Sequence, residues 1–444
     1  SVFKNIVFFS LPYLLSYFLQ TLYGMADLFI IGQFEGTAST TAVSIGSQVM
    51  HMLTVMIVGL AMGSTVSIGQ SVGANDKKRA AVHIGNTVTL FLSLSVVLTV
   101  VLVLLVHPIV NIMSTPTEAV SGTVAYLTFC FIGIPFITAY NIISSIFRGL
   151  GDSKSPMYFI AVACVANIGL DYLFMGAMRM GPAGAALGTT LAQAISVVFA
   201  LVVILRRESG ISVDKSHFKP KKPVLGNILK IGVPIAVQDG LIQVAFVAIT
   251  IIANRRGLTD AAAVGIVEKI ISFVFLVPSS LLSTVSALGA QNIGAHKPER
   301  AVATLRYAIF IAVGFGLIVS GLVQVVAEPV VGLFTSDSAV QVAGGQYFRG
   351  YIWDCIFAGI HFSFSGYFCA CEKSILSFLH NIIAIALVRL PGVYLTSKLF
   401  PTTLFPMGLA TATGSLLSVI ICVIAFAVLT RHGKQTQEGG LTHG

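Results

Sequence analysis

Long apolar stretches separated by short polar breaks run along almost the whole chain. They predict twelve helical spans at 6–32, 41–70, 80–106, 118–147, 155–178, 183–205, 224–254, 261–289, 301–327, 340–368, 374–397 and 405–430. About 20 apolar helical residues cross the ~30 Å hydrocarbon core of a bilayer, and each span meets that length. A membrane β-barrel would show strands of about 10 residues in strict alternation, and no such alternation is seen. The expected fold class is an all-α integral membrane protein. Lys4 followed by an apolar run resembles a signal peptide. That run continues past residue 30, includes Gln20 and Asp27, and shows no cleavage pattern, so it is read as the first span.

The pattern repeats. Gln70, Gly73, Ala74 and Ala80 recur as Gln291, Gly294, Ala295 and Ala301, an offset of 221. Pro12 of the first span has its partner in Pro234 of the seventh, and Gly184 at the start of the sixth span in Gly408 at the start of the twelfth. Six spans separate the copies. An even number preserves orientation, so two six-helix lobes related by a pseudo-two-fold axis along the membrane normal are expected. The expected division is an N-terminal lobe 1–205, a cytoplasmic linker 206–223 and a C-terminal lobe 224–444 with a short cytoplasmic tail.

Composition agrees with the spans. The hydrophobic fraction is 56%, only 10% of residues are charged, and mean hydropathy is +0.92, whereas soluble domains carry about 25% charged residues. The net charge of +9 suggests nucleic-acid binding until its placement is considered. With a cytoplasmic N-terminus, the inner loops hold nineteen Lys and Arg and the outer loops four, Arg179, Arg255, Arg256 and Lys398. That bias sets topology and implies an inner (plasma) membrane protein with both termini in the cytoplasm and no nucleic-acid partner. The six cysteines lie in or beside apolar segments without metal-ligand spacing.

A few ionisable residues fall inside the spans. Each needs a partner, a proton or a water-filled cavity, because a charge at the bilayer centre costs roughly 2.5–3.5 kcal/mol on insertion scales. Gln20 and Asp27 are seven apart and share a face of the first span; Asn167 and Asp171 are four apart and share a face of the fifth. If those faces meet, two carboxylates enter one cavity. Two like charges in a low dielectric favour sharing a proton. The same oxygens, with Asn167 and the hydroxyl of Thr189, would instead suit Na⁺, a hard cation. The alternative is that both aspartates only bridge neighbouring spans. In the second half, Asp354 and Arg389 both reach mid-membrane depth, as an ion pair or as part of a substrate cavity, to which Tyr23, Asp239, Gln243 and Glu268 could add polarity.

Other chemistry has no signature. Gly149-Leu-Gly151-Asp152-Ser-Lys154 lacks the spacing of a nucleotide-binding loop and reads as a tight turn. Neither H-E-x-x-H nor G-x-S-x-G occurs, and no two of the nine histidines have catalytic spacing. The expectation is no enzyme and no cofactor, with energy drawn from an ion gradient or from substrate concentration.

These residues together resemble the multidrug and toxic compound extrusion (MATE) family. The resemblance rests on Pro12…Gln20…Asp27, Gly69-Gln70-x-x-Gly73-Ala74, Phe147-Arg148-Gly149-Leu150-Gly151-Asp152, Asn167-x-x-x-Asp171-Tyr172, Gly181-x-x-Gly184-Ala185-Ala186 and the Gln291…Gly294-Ala295 repeat. It implies two six-helix lobes, alternating access and export of amphipathic, often cationic compounds in exchange for H⁺ or Na⁺, by a monomer. In the bacterial DinF-like branch the resemblance puts the coupling site on Asp27, Gln20, Asn167, Asp171 and Thr189. The NorM-like branch places a Glu in span seven, where this chain has Gln243, and an Asp in span ten, which holds Asp354. A flippase of lipid-linked precursors, or an exporter of one metabolite, is the alternative on the same fold. A flippase cavity would be rich in Arg and Lys, yet only Arg349, Arg389 and Lys269 are embedded here.

Overall fold

The computed structural model describes residues 1–207 and 210–441. Glu208 and Ser209 of the expected linker, and Thr442, His443 and Gly444 of the expected tail, lie outside the described residues. In hydrocarbon, every backbone N–H and C=O must be satisfied within the segment, which leaves a chain this apolar the helix. The helices are α1 (Val2–Phe34), α2 (Thr37–Gly73), α3 (Lys77–Leu104), α4 (Val106–Ile112), α5 (Val120–Ile132), α6 (Ile134–Gly149), α7 (Lys154–Asp171) and α8 (Pro182–Arg206). They continue as α9 (Lys222–Asn254), α10 (Leu258–Val274), α11 (Leu276–Gly294), α12 (Pro298–Gly332), α13 (Ser338–Tyr351), α14 (Asp354–Ala370), α15 (Ser374–Ala384), α16 (Leu390–Leu399) and α17 (Phe405–Leu441).

Local chemistry sets the ends. Asp76 caps α3 by accepting from Arg79 N at 3.1 Å, and Asp337 caps α13 by accepting from Ala339 N at 2.9 Å. The tight turn expected at Gly149–Asp152 is present. Gly151 takes φ +92°, and Asp152 N donates to Phe147 O at 2.9 Å, closing α6. Pro135 opens α6, and the α5–α6 pair bends by 49° at Gly133.

Among the described residues, ten helices are long and apolar enough to cross a membrane, and the bent pair makes eleven. The expected tenth span, 340–368, is here α13 and α14, broken at Ile352–Trp353. It is less apolar for a physical reason: most of it is buried, including Gly344, Gly345, Tyr347, Phe348 and Gly350. A helix surrounded by protein need not match lipid on every side. Lipid-matching residues such as Val97, Val165, Leu205 and Phe310 are exposed instead.

Packing divides the chain into two compact units. Phe3–Gly240 joins Ser286–Ala301 in the first, and Leu241–Val285 joins the chain from Val302 onward in the second. The core of the first unit includes Ile31, Val43, Leu127, Phe131 and Met175; that of the second includes Val267, Tyr347, Tyr351, Val393 and Met407. Within the first unit the repeated Gln-x-x-Gly segments meet. A Cβ on Gly73 would strike the carbonyl of Gln291, and one on Gly294 the carbonyl of Gln70. The backbones cross with no side chain between them. Part of the expected linker is tied down there too: Asn86 Nδ2 donates to His217 O (3.2 Å) and Lys219 O (3.3 Å), and Lys221 N donates to Asn86 Oδ1 (2.8 Å).

Candidate functional site

The first unit gathers α1, α7 and α8 around buried oxygens. Asp27 is 3% exposed, and Asn167 and Asp171 are fully buried. The carboxamide of Asn167 donates to Asp27 Oδ1 at 2.9 Å and to Asp171 Oδ2 at 3.2 Å. The hydroxyl of Thr189 donates to Asp27 Oδ2 at 2.9 Å. Asn167 thereby bridges the two carboxyl groups. Two local devices make room. A π-helix, Tyr172–Ala177, begins directly after Asp171 and shifts the phase of the helix below it. On α8, a Cβ at Gly188 would collide with Asp171 Oδ1, so only glycine admits that carboxyl. Asp171 Oδ1 has no hydrogen-bond partner.

The charge balance is uneven. Asn167 and Thr189 supply neutral donors, and no fixed cation contacts either carboxyl among the described hydrogen bonds and ion pairs. Two ionised carboxylates in so dry a place are prohibitively costly without a proton or a bound cation. The oxygens of Asp27, Asp171, Asn167 and Thr189 are the kind a hard monovalent cation accepts.

Other expected site residues fall in different places. Gln20 makes no hydrogen bond to this network. It shares a face with Asp27, but seven residues of helix separate them by about 10 Å along the axis. Tyr23 borders the network, its hydroxyl donating to Thr189 O at 3.4 Å and accepting from Gln193 Nε2 at 3.3 Å. Gln193 escaped the sequence reading; its signal was the four-residue spacing from Thr189 on α8. Asp239 lies in the first unit, facing Gly59 of α2. Gln243 lies in the second unit.

In the second unit the expected Asp354–Arg389 pair is formed. Arg389 Nη2 donates to Asp354 Oδ2 at 3.1 Å and to the Tyr351 hydroxyl at 3.0 Å. The guanidinium also lies over the Phe246 ring, 5.8 Å from its centroid. Glu268 is within electrostatic range of the same guanidinium.

The comparisons fit this architecture. The MatE family model matches the chain twice, over residues 12–173 and 234–395. The probable multidrug resistance protein YpnP of Bacillus subtilis is 28% identical over 435 residues, 98% of this chain and 96% of that protein. YoeA of the same organism, also a probable multidrug resistance protein, is 27% identical over 366 residues, 81% of this chain and 79% of that protein. A solved structure described as the outward-facing conformation of a multidrug resistance MATE family transporter of the MOP superfamily superimposes with a TM-score of 0.89. It is 22% identical and covers 96% of this chain and 95% of that one. Two matches to one model, together spanning most of the chain and separated by nearly the offset of the Gln-x-x-Gly-Ala repeat, leave one conclusion: this multi-pass membrane protein belongs to the MatE family.

Proposed function

We propose that the protein is a secondary active multidrug exporter that exchanges H⁺ or Na⁺ for amphipathic, often cationic organic compounds. The observation that carries this reading is the buried Asp27–Asn167–Asp171–Thr189 network, which holds two carboxyl groups with neutral donors alone. A network of that charge is stable when loaded with a cation and costly when empty. The cation seats at Asp27 and Asp171, where Asp171 Oδ1 offers an unused acceptor. Transport follows if ion and drug favour opposite members of a conformational pair, so that loading one expels the other. Residues 1–205 and 224–444 act as the two transport lobes, with 206–223 between them. The loop charges support cytoplasmic termini and a plasma-membrane location, and the protein acts as a monomer. The family relatives named as multidrug resistance proteins support the substrate class.

The test is transport in proteoliposomes with pH and sodium gradients imposed separately. Asp27→Asn is expected to abolish gradient-driven ethidium or norfloxacin movement while leaving the protein folded. Undiminished transport by that variant would sink the ion-site reading.

A further inference from the structure

The second unit also buries carboxyl groups beside a π-helix and a facing glycine, and there they meet a cation of the chain itself. The two family-model matches are offset by 222 at both ends, and Arg389 stands 222 residues after Asn167. Each of the two residues lies close to a π-helix: Tyr172–Ala177 follows shortly after Asn167, and Ile385–Arg389 ends on Arg389. Each site also faces a glycine of the next long helix. Gly188 yields space to the Asp171 carboxyl, and a Cβ on Gly414 would press against Cβ and Cα of Arg389. The contents differ in sign. In the first unit a neutral amide joins two carboxyl groups; in the second a guanidinium holds Asp354 and lies near Glu268. Around that guanidinium, Asp354 Oδ1, Glu268 Oε1 and the Tyr347 hydroxyl are buried without partners, so acceptors for a cation are already in place.

We propose that Arg389 is a specificity-determining residue: it is a tethered cation that occupies the second-half counterpart of the ion site and thereby confines the coupling ion to Asp27 and Asp171. The proposal rests on the ion-site reading given above. A guanidinium cannot be deprotonated in a protein, so Asp354 stays neutralised in every state of the cycle. Without it, Asp354 and Glu268 would recruit an exchangeable cation from solution.

The test counts cations bound by the full chain purified in detergent. Sodium is measured with a radioactive tracer at pH 8, and protons by the uptake on acidification to pH 5 in weak buffer. Asp354→Asn is expected to bind as many cations as the parent chain, because Arg389 then turns to Glu268. Arg389→Gln is expected to bind one more, and Arg389→Lys the parent number, since lysine retains the tethered charge. Loss of a cation in Asp354→Asn, or an unchanged count in Arg389→Gln, overturns the proposal. The Asp354→Asn arm decides the matter even if Arg389→Gln is not recovered folded. Asp27→Asn in the same assay is expected to lose one cation. A full count there would overturn the first-half site and leave the Asp354 comparison to be judged on its own result.

Discussion

The two units bury ionisable groups in opposite ways. The first holds Asp27 and Asp171 with an amide and a hydroxyl, a set that lacks a positive partner. The second pairs Asp354 with Arg389 at 3.1 Å and adds the Tyr351 hydroxyl to the same nitrogen. One arrangement has neutral donors alone; the other carries a cation of its own. The difference teaches that a π-helix and a facing glycine stand beside buried carboxyl groups in both units, while the charge placed there decides whether that place binds or braces.

The comparison breaks most directly at Arg389. Removing one partner of a buried ion pair strands the other, so Arg389→Met should cost about 3–5 kcal/mol of stability. Replacing its acidic neighbours as well, as Arg389→Met with Asp354→Leu and Glu268→Gln, should return the protein close to the parent. Thermal unfolding in detergent at pH 8 and low sodium measures both. A single variant as stable as the parent would show that the second unit is not braced by this pair. Raising sodium should recover part of the loss, since a mobile cation then stands in for the tethered one.

A finer probe is Thr189. Its hydroxyl donates to Asp27 Oδ2 at 2.9 Å, and a hydrogen bond to a charged group is worth about 1.5–3 kcal/mol. Bound sodium would take the same oxygen as a ligand, so Thr189→Val should weaken half-saturation by sodium roughly tenfold, while Thr189→Ser stays near the parent value. Equal affinities for the valine and serine variants would remove Thr189 from the site.

The smallest effect is expected at the α6–α7 turn, which serves as the exposed contrast to both buried sites. Asp152 accepts from Arg207 Nη1 at 2.7 Å and from the Ser155 hydroxyl and backbone. Partial burial pushes its carboxyl up, but the Ser155 and Arg207 hydrogen bonds prevail and hold it below the ordinary 3.8. Its stabilisation is then present above that value and fades as pH falls through the lower folded value. Because Arg207 is half exposed, Asp152→Asn should cost under about 1 kcal/mol at neutral pH. The gap from the parent, followed by thermal unfolding, should narrow only below about pH 4.

Much of this was legible before any coordinates. Helix periodicity put Asn167 and Asp171 on one face, and a charge in an apolar run marked Asp27. The depth of Asp354 and Arg389 along their spans matched, which is why their pairing was among the expectations. Gln20 shows the limit of the same logic. Sharing a face is an angular statement, and the axial rise of about 1.5 Å per residue leaves Gln20 about 10 Å along the helix from Asp27, without a hydrogen bond to it. Gln193 was overlooked because an amide one turn from Thr189 in an apolar span carries no charge to draw notice. Nor does composition reveal that Gly188 and Gly414 each clear space for a particular neighbour; small-residue spacing alone reads as ordinary helix packing. The break within 340–368 was hidden as well, since a buried segment escapes the lipid's demand for uniform hydropathy.

The crossing of Gln70–Gly73 with Gln291–Gly294 explains why the ancestral doubling still shows at that point. Each segment is the wall against which the other rests, main chain to main chain. Adding a methyl group to either copy wedges both apart, so the copies answer to one shared steric requirement. Elsewhere the two halves differ freely, as at Asn167 and Arg389. At this seam, the freedom to change was forfeited by mutual fit.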